Sequence, residues 1–153
     1  MSDPAFDQAL KFSLIWEGGE RYTNDPDDPG GETKYGISKK AYPDVDIKSL
    51  TLAEASILYQ RDYWDKTGCP ILQPAIAICA FDTSVNCGVG RCRSWLSELD
   101  VLGDDKKVAR LLLQRRIAYY MDLVKRKPTL GKYIKGWCNR VNDLSKYIDV
   151  VTT

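Results

Sequence analysis

Hydrophobic positions recur at helical spacing along most of this chain, and the one long stretch where they do not lies near the front. Phe6, Leu10, Ser13/Leu14 and Glu17 fall along one side of a segment that Asp3-Pro4 opens and Gly18-Gly19 closes. Asp is a good cap, Pro suits a first helical position, and glycines stop a helix, so a helix is expected from about residue 4 to Glu17. Between residues 18 and 37 the periodicity vanishes, and ERYTNDPDDPGGETKYG is the chemistry of turns. Such a segment inside a compact domain is usually functional or holds a small hairpin. Helical spacing resumes at Thr51, where Thr51 and Glu54 form a capping box, and is expected to run to Tyr63 or Trp64. PAIAICAFDTSVN (residues 74–86) is apolar on nearly all sides, the mark of a helix central to a core. A short helix over about 91–100 follows. A longer one runs from Asp104 to about Lys125, stopped before Pro128, and a last one carries Tyr133, Ile134, Trp137, Val141, Leu144 and Ile148 over about 130–149. The expected fold is mainly α: one domain of six or seven helices, with a small irregular or β segment at 18–37.

The size and make-up of the chain agree with this picture. With 153 residues and 44% hydrophobic content it can build one core. Its longest uncharged apolar runs, such as Pro74 to Phe81, fall far short of the roughly 20 residues that span a bilayer, so no stable membrane insertion is expected. The opening MSDPAFDQAL has neither a basic nor an apolar leader region, so synthesis in the cytosol is the expectation. Five cysteines, an odd number without a CxxC pair, read as buried free thiols. Histidine is absent, so with no CxxC pair a zinc site is not expected, and neither a metal nor a cofactor is called for. That absence also removes Ser-His-Asp, Cys-His and HExxH chemistry, and leaves proton transfer to carboxylates, tyrosines, lysines or cysteines. The net charge is +1, but residues 1–76 carry 8 Lys+Arg against 13 Asp+Glu, and residues 77–153 carry 14 against 8. An acidic front beside a basic rear fits a carboxylate-lined site with a cationic flank, although Lys125-Arg126-Lys127 reads as a solvated helix end. The basic residues form no known nucleic-acid motif, so no nucleic-acid partner is expected, and a monomer is.

Glu17 is the residue on which carboxylate chemistry converges. It closes a helix, where unsatisfied carbonyls and the negative dipole end disfavour a charged carboxylate, and Ile15 and Trp16 are expected to desolvate it. A carboxyl kept protonated in this way is what a glycosidase uses to protonate a leaving oxygen. The glycines after it allow a sugar to approach closely. The loop beyond offers Asp25, Asp27 and Asp28 as partner carboxylates that could activate water, with the hydroxyl of Thr33 to hold it. Each aspartate taken singly is also an ordinary turn residue.

The run Glu17-Gly-Gly, Asn24-Asp25-Pro26, Asp28-Pro29-Gly30-Gly31-Glu32-Thr33 and Tyr35-Gly36-Ile37-Ser38 resembles the signature of glycoside hydrolase family 108. Leu50 to Ala55, Tyr59, Tyr63-Trp64, Phe81-Asp82, Val85-Asn86 and Gly88 agree with it downstream, and the likeness covers about residues 5–147. It implies an α-helical, lysozyme-like N-acetylmuramidase of the phage-endolysin kind. In that reading residues 1–70 form the catalytic lobe, and 71–153 form a helical lobe resembling a peptidoglycan-binding region. It carries the catalytic glutamate onto Glu17. Phage-type lysozymes use a Glu…Asp…Thr triad, and both Glu17-Asp27-Thr33 and Glu17-Asp28-Thr33 fit that spacing. Asp28, inside the DPGGxT element, is preferred. Glu20-Arg21 before Tyr22 departs from the usual motif as a two-residue insertion.

Tyr35, Asn86 and Asn24 are candidates for sugar contact, since aromatic faces and amides suit carbohydrate. Tyr35 reads equally as a packing residue and Asn86 as a helix cap or buried hydrogen-bonder. Trp64, Trp95 and Trp137 lie on apolar helix faces and are expected in the core. The implied substrate is the glycan strand of peptidoglycan. The competing readings are a lytic transglycosylase that needs Glu17 alone and a non-catalytic peptidoglycan-binding or secretion-accessory protein.

Overall fold

The computed structural model describes residues 3–152. Helix α1 (Pro4–Trp16) starts as the sequence predicts, with Asp3 Oδ1 accepting the Ala5 and Phe6 amides at 3.1 and 3.5 Å. Glu17 is its C-cap, and Gly18, with φ of 93°, turns the chain away in a conformation that favours glycine. Beyond it the chain forms a hairpin, β1 (Thr33–Lys34) and β2 (Ile37–Ser38), with Thr33 opposite Ser38 and Lys34 opposite Ile37. Its two-residue turn, Tyr35-Gly36, has both φ angles positive (53° and 73°), as the turn type matching strand twist requires. Thr23 pairs with Thr33 on the outer side, and Ile37 anchors the hairpin in the core.

Helix α3 (Pro74–Cys87) is the centre of the molecule: every residue from Ala75 to Ser84 is buried. It packs against α1, α4 (Val89–Leu96) and α5 (Asp105–Arg126), so the helices of the described residues share one core, as expected of a mainly α chain. Its first amides have no local side-chain cap. Instead the Asp105 carboxylate, from the start of α5, accepts the Ala75 and Ile76 amides at 2.9 Å each. Phe6, Trp64 and Phe81 pack edge-on or tilted against one another with centroids 5.4 to 5.9 Å apart, joining α1, α3 and the segment around Trp64.

Three boundaries differ from expectation, each for a physical reason. Helix α2 (Leu52–Tyr59) has the expected capping box, but the chain continues as a π-helical turn over Gln60–Asp65 rather than as α-helix to Trp64. An i→i+5 repeat puts residues five apart on one face, so Tyr59 and Trp64 both enter the core. Gly88, with φ of 98°, turns the chain directly from α3 into α4, which begins at Val89 rather than Arg91. After Pro128 the chain makes a tight 3₁₀ turn (Pro128–Tyr133) before α6 (Ile134–Val151). Trp64 and Trp95 are core residues, whereas Trp137 is half-buried, stacked on Tyr120 and Tyr133. All five cysteines are free thiols, and Cys69, Cys79, Cys87 and Cys92 are buried. Burial pushes the Cys92 thiol up to about 12, which leaves it inert as a nucleophile at neutral pH. Among the described residues no helix is long and apolar enough to cross a membrane.

Candidate functional site

Glu17 sits where α1 meets the hairpin turn. A Cβ added at Gly36 would lie 2.9 Å from Glu17 Cβ and 2.5 Å from the Tyr59 hydroxyl, so only glycine lets the turn close on the carboxylate-bearing side chain. The Tyr59 hydroxyl donates to the Tyr35 carbonyl at 2.6 Å and locks the turn onto α2. Burial, and then the nearby Glu17 charge, raise the Tyr59 phenol well above its ordinary value, so it stays a neutral donor.

An ionic cluster reaches Glu17 from below. Arg140, on α6, donates from Nη1 to Glu17 Oε1 at 3.0 Å. The rest of that guanidinium is spent on Asp82, in the middle of α3: Nη2 to Oδ1 at 2.7 Å and Nε to Oδ2 at 3.1 Å. Asp82 also accepts from Arg116 Nη1 at 2.9 Å and from the Ser13 hydroxyl at 2.7 Å. Arg116 in turn donates from Nε to the Tyr120 hydroxyl at 2.8 Å. Side-chain exposure is 0% for Arg116, 1% for Asp82, 7% for Arg140 and 27% for Glu17, so the cluster opens to solvent at the glutamate. Burial works against a charge on Asp82, but the two guanidinium groups outweigh it and hold the carboxyl at about 2. Asp82, Arg116 and Arg140 together carry one surplus positive charge, and Arg116 Nη2 is buried without a hydrogen-bond partner among the described residues.

This arrangement corrects one expectation. The desolvation expected from Ile15 is not what the fold builds: Ile15 is 71% exposed, and the Glu17 side chain is ion-paired with Arg140. That partner comes from a residue 123 positions away in the chain.

The other sequence-predicted residues lie in two places. Asn24, Asp25, Asp27 and Asp28 are exposed in the turns before the hairpin. Asp25 Oδ1 accepts the Asp27 amide at 2.9 Å, and Asp28 Oδ1 accepts the Gly30 amide at 2.8 Å. Asp28 nonetheless lies near the hairpin: a Cβ added at Gly30 would meet both Asp28 Oδ1 at 3.3 Å and Ser38 Cβ at 3.5 Å. Thr33 lies in β1, its hydroxyl 3.4 Å from the Gly31 carbonyl. Tyr35 forms the turn against Glu17, half-buried, with Lys34 Nζ over its ring at 5.6 Å. Asn86 lies one turn beyond Asp82 on α3, and its Oδ1 accepts the Tyr120 hydroxyl and, at 3.4 Å, the Cys87 thiol. The side-chain carbonyl of Asn86 is thus a half-buried hydrogen-bond acceptor.

Asp82, Arg116 and Arg140 were outside the sequence-based expectation for the site. A lone aspartate inside an otherwise apolar helix was the available signal, since a buried carboxylate demands a charged partner. Its partners stand 34 and 58 residues away, with nothing local to mark them.

An open groove of about 880 Å³ runs alongside, between the 41–45 loop, the π turn and Gly88-Val89. It does not include Glu17. It adjoins the glutamate through Tyr63, whose ring lies 5.7 Å from that of Tyr59.

The family model for glycosyl hydrolase 108 matches residues 10–88, which include Glu17, the aspartate turns, the hairpin, Asp82 and Asn86. The solved structure of Brucella abortus SagA is similar, with a TM-score of 0.76 and 22% identity over 97% of this chain and 96% of that one. At that identity the likeness shows a shared fold. No curated protein sequence matches the chain. With a family model spanning more than half its length, and with the glutamate, glycines and hairpin of that match assembled at one site, the chain belongs to glycosyl hydrolase family 108.

Proposed function

We propose that this protein is an N-acetylmuramidase that hydrolyses the β-1,4 bond from N-acetylmuramic acid to N-acetylglucosamine in peptidoglycan, with Glu17 as general acid. The observation that carries this reading is the placement of Glu17 at the junction of α1 and the hairpin turn, partly open to solvent and held from beneath by Arg140. Glu17 protonates the leaving oxygen as the glycosidic bond breaks. Asp28 is the partner that takes a proton from the attacking water, and the Thr33 hydroxyl helps hold that water. Asp28 is preferred over Asp27 because the Gly30 amide orients its carboxylate beside the hairpin. Tyr35, Asn24 and the amide of Asn86 are the proposed sugar contacts.

The test is turbidity loss of permeabilised Gram-negative cells by the parent and by Glu17→Gln. Clearing by the parent and none by the variant is the expected outcome. Equal clearing by both overturns the acid assignment, and no clearing by the parent leaves a non-catalytic peptidoglycan binder. A second reading, a lytic transglycosylase, is favoured by the exposure of the aspartate turns, since that reaction needs Glu17 alone. Mass spectrometry decides: reducing-end products mean hydrolysis, and anhydro-muropeptides mean transglycosylation. The biological setting we propose is an endolysin, synthesised in the host cytoplasm and acting on the wall after a separate membrane-permeabilising protein releases it.

A further inference from the structure

Two apolar features stand on different parts of the surface, and we propose that they pair between copies of this chain. The Ile71 and Leu102 tips of one molecule dock in the groove between α1 and α6 of a second. These tips are the two most exposed large hydrophobic residues among those described, Ile71 at 91% and Leu102 at 89%. They stand on neighbouring loops, 69–73 and 99–103, which Gln73 ties together: its Nε2 donates to the Val101 and Gly103 carbonyls at 3.0 and 2.7 Å, on either side of Leu102. The Leu102 amide in turn donates to Asp100 Oδ1 at 3.2 Å. A single exposed aliphatic residue is ordinary. Two on loops already braced form a knob that needs little further ordering when it is covered.

The groove is equally well defined. Tyr147, on α6, joins its two walls: its ring packs against Phe12 of α1 with centroids 5.2 Å apart, and its hydroxyl donates to the Gln8 carbonyl at 2.7 Å. The groove has a volume of about 330 Å³ and an apolar lining of Phe12, Ile15, Trp16, Tyr147 and Val150. Ile15 and Val150 are 71% and 76% exposed, so much of that lining is wet in a lone molecule. Covering it with Ile71 and Leu102 takes apolar surface out of water on both sides of the contact. The tips are so exposed that they do not fill the groove of their own molecule.

Charge selects the occupant. Lys11, Lys146 and Asp143 edge the groove, with one positive charge in surplus. Residues 69–74 carry no charge, and residues 99–104 carry Asp100 and Asp104 with no cation. An apolar knob with an acidic collar therefore matches an apolar groove with a basic rim. The same collar repels an anionic lipid surface. Because knob and groove are different patches, the contact is head-to-tail and can repeat from copy to copy. Two aliphatic side chains and a few charges make a small contact of the weak, transient class, with a dissociation constant on the order of 0.1 mM. Below that concentration the chain stays monomeric. The contact stands apart from the reaction proposed at Glu17, and its failure leaves that reading untouched.

Sedimentation velocity of the full chain over a concentration series is the first measurement. The mean sedimentation coefficient is expected to rise with concentration, and to rise less in high salt. Leu102→Asp and Val150→Asp, at exposed positions on the two sides of the contact, should each weaken association about tenfold with the circular dichroism unchanged. Cross-linking then tests the pairing itself. In a Cys138→Ser background, where the remaining native thiols are buried, Leu102→Cys and Val150→Cys chains are mixed with a short bis-maleimide. Joining of unlike chains in preference to like ones is expected. A chain that sediments as a monomer throughout, a preference for like-with-like links, or parent-like association by a folded Leu102→Asp overturns the proposal. So does binding of the tips to neutral phosphatidylcholine vesicles without self-association, which would assign them to a membrane surface instead.

Discussion

Two carboxylate-bearing regions flank Glu17, and they are built in opposite ways. The turns at 24–31 are exposed, and their aspartates spend their oxygens locally, Asp25 on the Asp27 amide and Asp28 on the Gly30 amide. The cluster beneath Glu17 is buried, and its one aspartate, Asp82, draws partners from α1, α5 and α6. The first region is written into neighbouring residues, whereas the second exists only when four helices meet. A carboxylate in a turn advertises itself through composition. The one that governs the electrostatics of the site lies in a segment that reads as plain core.

The sharpest way to break the contrast is at Glu17, the proposed acid. Glu17→Gln should cut peptidoglycan cleavage by about 10²–10⁴-fold, the usual share of a general acid, with the fold unchanged by circular dichroism. An undiminished rate would detach the whole comparison from catalysis. Next in size is the buried side. Arg140→Ala leaves Asp82 without one of its two cations and should cost about 3–5 kcal/mol, read as a fall of roughly 10 °C in the thermal midpoint. A shift within error would mean that the cluster carries no structural weight.

Acid should act on the same region. Because Asp82 titrates at about 2 in the folded protein, below the ordinary value of 3.8, the stability it contributes is complete above about 4 and is lost as pH falls from about 4 towards about 2. Asp82→Asn should lower stability at neutral pH and flatten that acid limb. Identical acid limbs in the parent and the variant would assign the loss to other groups.

The smallest structural effect belongs to the exposed turns. Asp28→Asn keeps an oxygen for the Gly30 amide, so the fold should stay intact while hydrolysis falls and Asp27→Asn remains near the parent. The reverse pattern would move the water-activating role to Asp27, and no loss from either would favour the transglycosylase reading.

Much of the fold could be read from local signals. The Asp3 cap, the Thr51-Glu54 capping box, the all-apolar α3 and the Gly18-Gly19 stop depend on residues a few positions apart, and each operates where the sequence predicts it. The α-to-π switch at Gln60 could not, because it answers to the need to bury Tyr59 and Trp64 on one face of the same core. The 3₁₀ entry to α6 was hidden beneath the continuous helical spacing of Tyr133, Ile134 and Trp137.

The same division runs through the site. Glu17 at a helix end, the glycines beside it and the Tyr35-Gly36 turn were fixed by neighbours in the chain, since capping and turn chemistry act over a few residues. Its electrostatic setting was decided by tertiary packing. Helix-end and desolvation effects argued for a proton on Glu17, yet α6 delivers Arg140 across 123 residues to pair with the carboxylate. Coulombic interaction depends on distance in space, and only the assembled helices set that distance.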